Sequence, residues 1–454
     1  MKRSIESTIP DDIEIELREG KIVYSETGSQ TIPPSETVKK AEQVLYRIGV
    51  EKVEQIKPEF TDGVPIFRLN EAPVRAKCHR VLSLCSSPPF PLNTQPREIF
   101  GKGMTVEQSK ASGMMEAIER YCAQRFPHSR VINAMYKDVE DYAIHPSEFN
   151  APTGFPPKCE NCVERNNRCF QELSEVCHEW SWGFSLIKRR PVLVPSAFVY
   201  YPYISDGNTS FLFNDTGGLA SGNTLEEALI QGTAEVIERD ALYYAFNLGN
   251  LNHMSVLNFE GAESSHVRKL IDTTLPPSSI FAFLVRNEYC NIHVPVLSAF
   301  VCYRTGTARH FFGGSGASLD PEVALLRALA ELEEQKVRQK ALFEFDPKDL
   351  VLHRGMKSEN VIHIESIRSQ STGNIREDIE VYLDNLSRNN MDIVAVNLTH
   401  PEIGIPVVRI LIPQLVSYSG VPIKESLLLD TMKALGGSYE AQRERPKFVD
   451  GSEE

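Results

Sequence analysis

Gly218-Leu219-Ala220-Ser221-Gly222-Asn223-Thr224-Leu225-Glu226-Glu227-Ala228, continued by Glu235-Val236-Ile237-Glu238-Arg239-Asp240, is one of three stretches built on a single plan. In each, a helix-starting residue is followed eleven positions later by two acids three apart, and then by Arg or Gln. The sets are Thr105 with Glu116, Glu119 and Arg120; Thr224 with Glu235, Glu238 and Arg239; and Asp320 with Glu331, Glu334 and Gln335. The register runs further. Glu107, Glu226 and Glu322 each fall nine positions before the first acid, and Ser112, Gln231 and Arg327 each fall four before it. Such agreement marks one structural unit used three times.

Thr105 with Gln108 and Thr224 with Glu227 spell capping boxes, and Asp320 before Pro321 is a helix start, so all three segments are expected to be helices. Residues three and four apart share a face, which aligns Ser112, Glu116 and Glu119, and likewise Gln231, Glu235 and Glu238. The acids then lie about 16 Å along each helix from its cap. Their neighbours, among them Met114, Ile118, Ile230, Val236, Leu325 and Leu332, are apolar enough for the helices to pack inside a domain. Taken singly, Glu116 with Arg120 could be an i,i+4 ion pair on a solvated face. Three in register argue for convergence, and buried carboxylates require a compensating cation. Oxygen-only ligands favour Mg²⁺, which shares its shell with substrate phosphates, so a nucleotide site held through magnesium is expected, with Arg120, Arg239 and Arg327 facing phosphate oxygens.

The usual nucleotide signatures are missing. There is no Walker A run, and Gly314-Ser315-Gly316 lacks the third glycine of a dinucleotide fingerprint. Glycines nevertheless precede each helix, at Gly101-Lys102-Gly103, Gly217 to Gly222 and Gly313 to Gly316, where the backbone can approach a ligand or turn sharply. The eleven His residues show no metal or catalytic spacing.

The run from Ser112 to Arg120 resembles the first ATP-binding motif of the YcaO superfamily, and Gly218 to Asp240 resembles its second. The third helix and Pro401-Glu402-Ile403-Gly404-Ile405-Pro406-Val407-Val408-Arg409 are similar to later segments, so the likeness runs from about Thr37 to about Pro413. This resemblance implies an ATP- and Mg²⁺-dependent enzyme acting on peptide backbone amides: a nucleophile adds to the carbonyl, ATP phosphorylates the oxyanion, and phosphate leaves. It also implies Glu116, Glu119, Glu235 and Glu238 as magnesium ligands. Asn223, Glu227 and Gln231 would lie near nucleoside and phosphates, Arg239 and Arg327 on phosphate, and Lys102, Ser112, Arg120 and Glu331 within the same ATP site. No protein nucleophile is required, because phosphoryl transfer rests on positioning and charge neutralisation.

Side-chain nucleophiles would yield azolines and an external sulfide a thioamide. The ending Arg445 to Glu454 departs from the proline-rich tail of azoline-forming members, and the segments Ser221 to Asn223 and Pro401 to Arg409 look more like the thioamidating branch that works with a TfuA-type partner. The readings carried forward are a thioamide-forming enzyme, an azoline-forming cyclodehydratase and a noncatalytic peptide-binding scaffold.

Cys159, Cys162, Cys169 and Cys177 place four of the nine cysteines within nineteen residues, a set that suits a structural Zn²⁺, with His178 as a substitute ligand; unrelated reduced thiols or a sulfur-relay role are the alternatives. A net charge of -13 argues against general nucleic-acid binding and would favour a basic leader or target peptide. No signal peptide or membrane-length apolar run is seen, so a cytoplasmic location with reduced thiols is expected. Pairing with a second copy is left open.

The expected fold is α+β and YcaO-like, with sheets backed by three acid-bearing helices. Residues 1–92 form an N-terminal region, 93–420 the catalytic domain with a Cys-rich insertion at 151–182, and 421–454 a tail. Strands are expected around Ile13 to Leu17, Gly63 to Leu69, Pro191 to Pro195, Ile280 to Val285 and Ile393 to Leu398. Helices are expected at Thr37 to Ile48 and Glu377 to Asn389, and a loop at Ser86 to Pro96.

Overall fold

The computed structural model describes residues 5–23, 28–56, 66–71, 97–126, 129–149, 174–203, 215–247, 254–273, 280–287, 292–305, 308–337, 343–345 and 361–416. Cys159, Cys162, Cys169, the Ser86 to Pro96 segment and the tail lie outside these residues. Helices α1 (Pro34–Leu45), α2 (Val106–Cys122), α3 (Tyr136–Val139), α4 (Leu225–Leu242), α5 (Ser265–Thr273), α6 (Pro321–Val337) and α7 (Ile375–Ser387) accompany three sheets. The first sheet holds β1 (Val50–Ile56), β2 (Ile66–Glu71) and β3 (Arg97–Lys102), in that order. A second, with β4 (Val131–Ala134), β5 (His178–Ser185), β6 (Arg190–Pro195), β7 (Leu219–Ser221), β14 (Val394–Asn397) and β15 (Val407–Leu411), runs β4-β5-β14-β15-β7, with β6 also paired to β5. The third runs β12-β11-β10-β9-β8-β13, from β8 (Met254–Asn258), β9 (Ile280–Asn287), β10 (Ile292–Thr305), β11 (Ala308–Ala317), β12 (Phe343–Phe345) and β13 (Val361–His363). Among the described strand-to-strand pairings only β8 with β13 is parallel, and an isolated bridge joins Ala143 to Leu193 in the same sense.

The caps act as the sequence predicts. Thr105 accepts a hydrogen bond from the Gln108 amide while the Gln108 side-chain oxygen accepts one from the Met104 amide, Thr224 accepts from the Glu227 amide, and Asp320 accepts from Glu322 and Val323. Each acid-bearing helix follows a strand of a different sheet: β3 leads into α2, β7 into α4 and β11 into α6. Each then lies between two sheets. Helix α2 packs on the first sheet and on β7, α4 on β7 and β15 and also on β9, β10 and β11, and α6 on β10 and β11 and also on β3. Three helices and three sheets therefore alternate around a closed circuit. Helix α4 sits in the central core with Ala220, Val236, Phe283, Val296 and Ile410, whereas α2 and α6 each anchor a core of their own.

The helices lie unusually close to their strands. A Cβ added at Gly101 would stand 2.1 Å from the Ser109 carbonyl oxygen, and one at Gly314 would stand 2.3 Å from that of Ala328. These glycines admit helix backbone, so the ligand-approach reading of their runs does not hold at these two positions.

The Ile13 to Leu17 alternation does not produce a strand. Ile15 is buried, but its carbonyl accepts from Arg189 Nη1 at 3.0 Å, and the Arg18 amide donates to Glu226 at 2.9 Å. Side chains, not a neighbouring strand, satisfy this backbone. The other expected helices appear as α1 and α7, and the expected strands as β2, β6, β9 and β14. His178 opens β5, buried with its ring 4.4 Å from that of Trp180, while Cys177 just before it is exposed.

Candidate functional site

Because the helices share one register, their acid pairs arrive at one place. Glu116 and Glu119 come from α2, Glu235 and Glu238 from α4, and Glu331 and Glu334 from α6. The second acid of each pair reaches a strand of the next unit around the circuit. Glu119 is hydrogen-bonded by the Ser221 backbone on β7, Glu238 Oε1 accepts from Ser315 Oγ on β11 at 2.6 Å, and Glu334 lies 3.3 Å from Lys102 Nζ on β3. The first acids are held closer to home. Glu116 accepts two bonds from Arg120, at 2.6 and 3.0 Å; Glu235 accepts from the Gly218 amide at 3.3 Å and faces Arg239 at 3.6 Å; and Glu331 accepts from the Ser315 amide at 2.9 Å.

The electrostatics show how closely these groups crowd. Burial, then repulsion from Glu116 and Glu235, holds the Glu119 carboxyl well above its ordinary range. Glu235 is pushed up to about 7, chiefly by burial, with Glu238 and Asp215 adding to it and Arg239 opposing. Burial also raises Glu238; Arg239 opposes this and Glu331 reinforces it. Burial works against the charge of Glu331 too, yet Lys102, Arg239 and Ser315 together keep its carboxyl below the usual value. Lys102 is firmly protonated, because Glu331, Glu334 and Glu116 outweigh its burial.

Other expected residues take varied places. Arg239 is held protonated against burial by Glu238, Glu235, Glu331 and Asp215, and its Nε is buried without an acceptor among the described residues. Arg327 donates to the Ala317 carbonyl at 3.0 Å and is near enough to Glu238 to feel its charge. Asn223 has a buried Oδ1 without a donor, while its backbone amide and Nδ2 both donate to Glu227 at 2.8 Å. Glu227 is already engaged, since its other oxygen accepts from Thr31 N and Oγ1, both at 2.6 Å. Ser112 is half-buried and Gln231 exposed, one turn nearer the caps than the acids.

Three members escaped the list of expected site residues. Ser315 and Arg409 stand in quoted motifs, but nothing in the sequence marked their roles. Asp215 carried no signal at all: Arg409, 3% exposed, grips it through Nη1 to its carbonyl at 2.9 Å and Nη2 to its carboxylate at 3.3 Å, across 194 positions.

The arrangement gathers carboxylate oxygens and guanidinium groups, donors that suit Mg²⁺ and phosphate respectively. Among the described residues no three His, Cys, Asp or Glu side chains converge closely enough to hold an ion as they stand. The acids rest instead on Arg120, Arg239, Ser315 and Lys102. Asn223 Oδ1, just before the start of α4, and Arg239 Nε, in its last turn, are a buried acceptor and a buried donor without partners among the described residues.

The family model described as YcaO cyclodehydratase, ATP- and Mg²⁺-binding, matches residues 100–416. A protein of Methanothermobacter thermautotrophicus is 28% identical over 421 residues, covering 87% of this chain and 96% of its own. One from Rhizobium leguminosarum bv. trifolii, named for its position in a tfuA 3′ region, is 24% identical over 348 residues, covering 71% and 78%. A heterocyclase structure in complex with substrate and cofactor superposes with a TM-score of 0.71 at 21% identity, over 91% of this chain and 57% of that one, so the chain spans little more than half its length. The structure of YcaO from Methanopyrus kandleri bound with AMPPCP and Mg²⁺ superposes with a TM-score of 0.63 at 21% identity, over 94% and 99%. With the family model spanning well over half its length, this chain belongs to the YcaO cyclodehydratase family.

Proposed function

We propose that the ring of six acids is an ATP·Mg²⁺ site used to phosphorylate the oxygen of a peptide or protein backbone amide, with thioamide formation from an external sulfur donor as the favoured outcome. The observation that carries this is the convergence of acids from three helices into mutual repulsion, at Glu119 with Glu235 and at Glu238 with Glu331. Buried like charges are costly, and a divalent cation relieves them. Glu116, Glu119, Glu235 and Glu238 would hold the metal, with Glu331 beside them. Arg120, Arg239 and Arg327 would bind phosphate oxygens, Lys102 would add positive charge at the α2–α6 junction, and Asn223 would accept from the nucleotide. Glu227 would act by fixing Asn223, and Ser112 and Gln231 would flank the ligand. When bound, the magnesium supplies charge neutralisation for phosphoryl transfer. The side chains orient the triphosphate and exclude bulk water.

The relative named for a tfuA region favours the thioamide reading and a TfuA-like partner. The azoline reading is favoured by the likeness to a heterocyclase. Mass spectrometry of a treated target peptide separates them: azoline formation removes one water, whereas thioamide formation exchanges oxygen for sulfur. The reading as a whole is tested by phosphate release stimulated by a target peptide. Glu116→Gln and Glu238→Gln should each abolish turnover while leaving the thermal melt intact; wild-type turnover in either folded variant would refute the site. A structural Zn²⁺ on Cys159, Cys162, Cys169 and Cys177 is proposed separately, and metal analysis finding under about half an equivalent per chain would reject it.

A further inference from the structure

Ser315 occupies a place that no other described residue of the ring shares. Along β11, Phe312 packs into the α6 core and Ala317 into the α4 core, so alternation points Ser315 toward α4. Its cross-strand partner on β10, Ser298, belongs to the same face. Among the described residues, β12 pairs with β11 over Arg309 to Phe311 and not at Ser315, whose amide meets a side chain instead. Two acids from opposite faces of the sheet meet at Ser315. Glu238, from α4, takes the hydroxyl at 2.6 Å; Glu331, from α6, takes the backbone amide at 2.9 Å and lies 3.4 Å from the hydroxyl. The corresponding residues of the other two units, five positions before their caps, are Phe100 and Leu219, so this bridge exists at one junction alone.

We infer that Ser315 is a positioning residue that holds Glu238 and Glu331 in a single geometry on β11, so that a divalent cation at the α4–α6 junction meets pre-aligned carboxylates. The inference rests on the ATP·Mg²⁺ reading of the ring and deepens it. A carboxylate held by a strong short hydrogen bond samples fewer rotamers, and the ion then binds without first ordering its ligands. Without the hydroxyl, Glu238 turns toward Arg239, and the cation must reorganise it.

The test uses the full chain, titrated with Mg²⁺ at fixed ATP for turnover, and with Mg²⁺ and a non-hydrolysable ATP analogue by calorimetry. In Ser315→Ala the Mg²⁺ concentration for half-maximal effect should rise about tenfold, the equivalent of one charge-assisted hydrogen bond, while kcat at saturating Mg²⁺ stays within about twofold. Ser315→Thr, which retains the hydroxyl, should restore the wild-type requirement. Ser298→Ala, which removes a buried hydroxyl without a partner among the described residues, should leave it unchanged. Should Ser315→Ala fail to fold, Ser315→Cys keeps the volume, loses the strong donor and should show the same shift. A folded Ser315→Ala with wild-type Mg²⁺ dependence, beside a Glu238→Gln that has lost nucleotide binding, overturns the positioning role and leaves the site standing. A fall in kcat alone, with the Mg²⁺ requirement unmoved, also overturns it. If Glu238→Gln itself binds Mg²⁺ and nucleotide normally, the underlying site reading fails.

Discussion

Glu235 carries a consequence that can be measured without substrate. Its carboxyl is pushed up to about 7 from an ordinary 4.5 because burial disfavours its charge more than Arg239 favours it. The folded chain therefore holds this proton through a pH range in which the unfolded chain has released it. By linkage, folded-state stability contributed by this group is fully present below the unfolded value and is lost as pH rises through the folded value. Without ligand, the denaturation midpoint should fall between pH 4.5 and about 7, and Glu235→Gln should flatten that slope. Mg²⁺ with a non-hydrolysable ATP analogue should reverse the loss and release protons near neutral pH, which calorimetry in buffers of different ionisation enthalpy would count. An unchanged slope in Glu235→Gln would remove this residue from the crowded pocket.

Helices α2, α4 and α6 are legible in the sequence alone, because caps, register and apolar neighbours all agree at Thr105, Thr224 and Asp320. The convergence of their acids followed from the register too, since equal distances from equivalent caps carry equivalent residues to equivalent places. The partners of those acids were not legible. Ser221, Ser315 and Lys102 meet Glu119, Glu238 and Glu334 only because each helix packs against the strand of the following unit, a relation that local periodicity does not encode. Ile13 to Leu17 misled for the same reason: alternation showed which side is buried but not what satisfies the backbone. The packing of the units depends on glycine. Gly314→Ala would drive a methyl group to 2.3 Å from the Ala328 carbonyl oxygen, contact that only a shift of α6 relieves. Overpacking of this kind typically costs about 1–3 kcal/mol, and backbone on the receiving side puts the cost at the upper end. Thr224→Ala, which loses one cap, should cost about 1 kcal/mol. Urea denaturation should rank the two in that order, and the reverse order would mean that α6 adjusts freely on its strand.

The circuit of sheets and helices closes only if its central member is fixed from both sides, and α4 is where the first segment of the chain comes to bear. Ile15 and Ile22 join the α4 core, the Arg18 amide donates to Glu226, and Thr31 donates twice to Glu227. Glu226 and Glu227 are 5% and 8% exposed, so each carboxylate needs donors, and the N-terminal segment supplies them from about two hundred positions away. Glu227 passes this fixation to the site, because its second oxygen holds both the amide and the side chain of Asn223. Thr31→Val keeps the backbone donor and removes the hydroxyl, which should cost about 1.5–3 kcal/mol, the worth of a hydrogen bond to a charged group. If the bond acts through Glu227, then Thr31→Val and Glu227→Gln should be non-additive by about 0.5–3 kcal/mol in urea denaturation. Nucleotide binding should weaken in Thr31→Val as Asn223 loosens, although Thr31 stands outside the ring of acids. Additive effects of the two substitutions, with nucleotide affinity unmoved, would mean that the first segment only covers the core and leaves the geometry of the site to α4 itself.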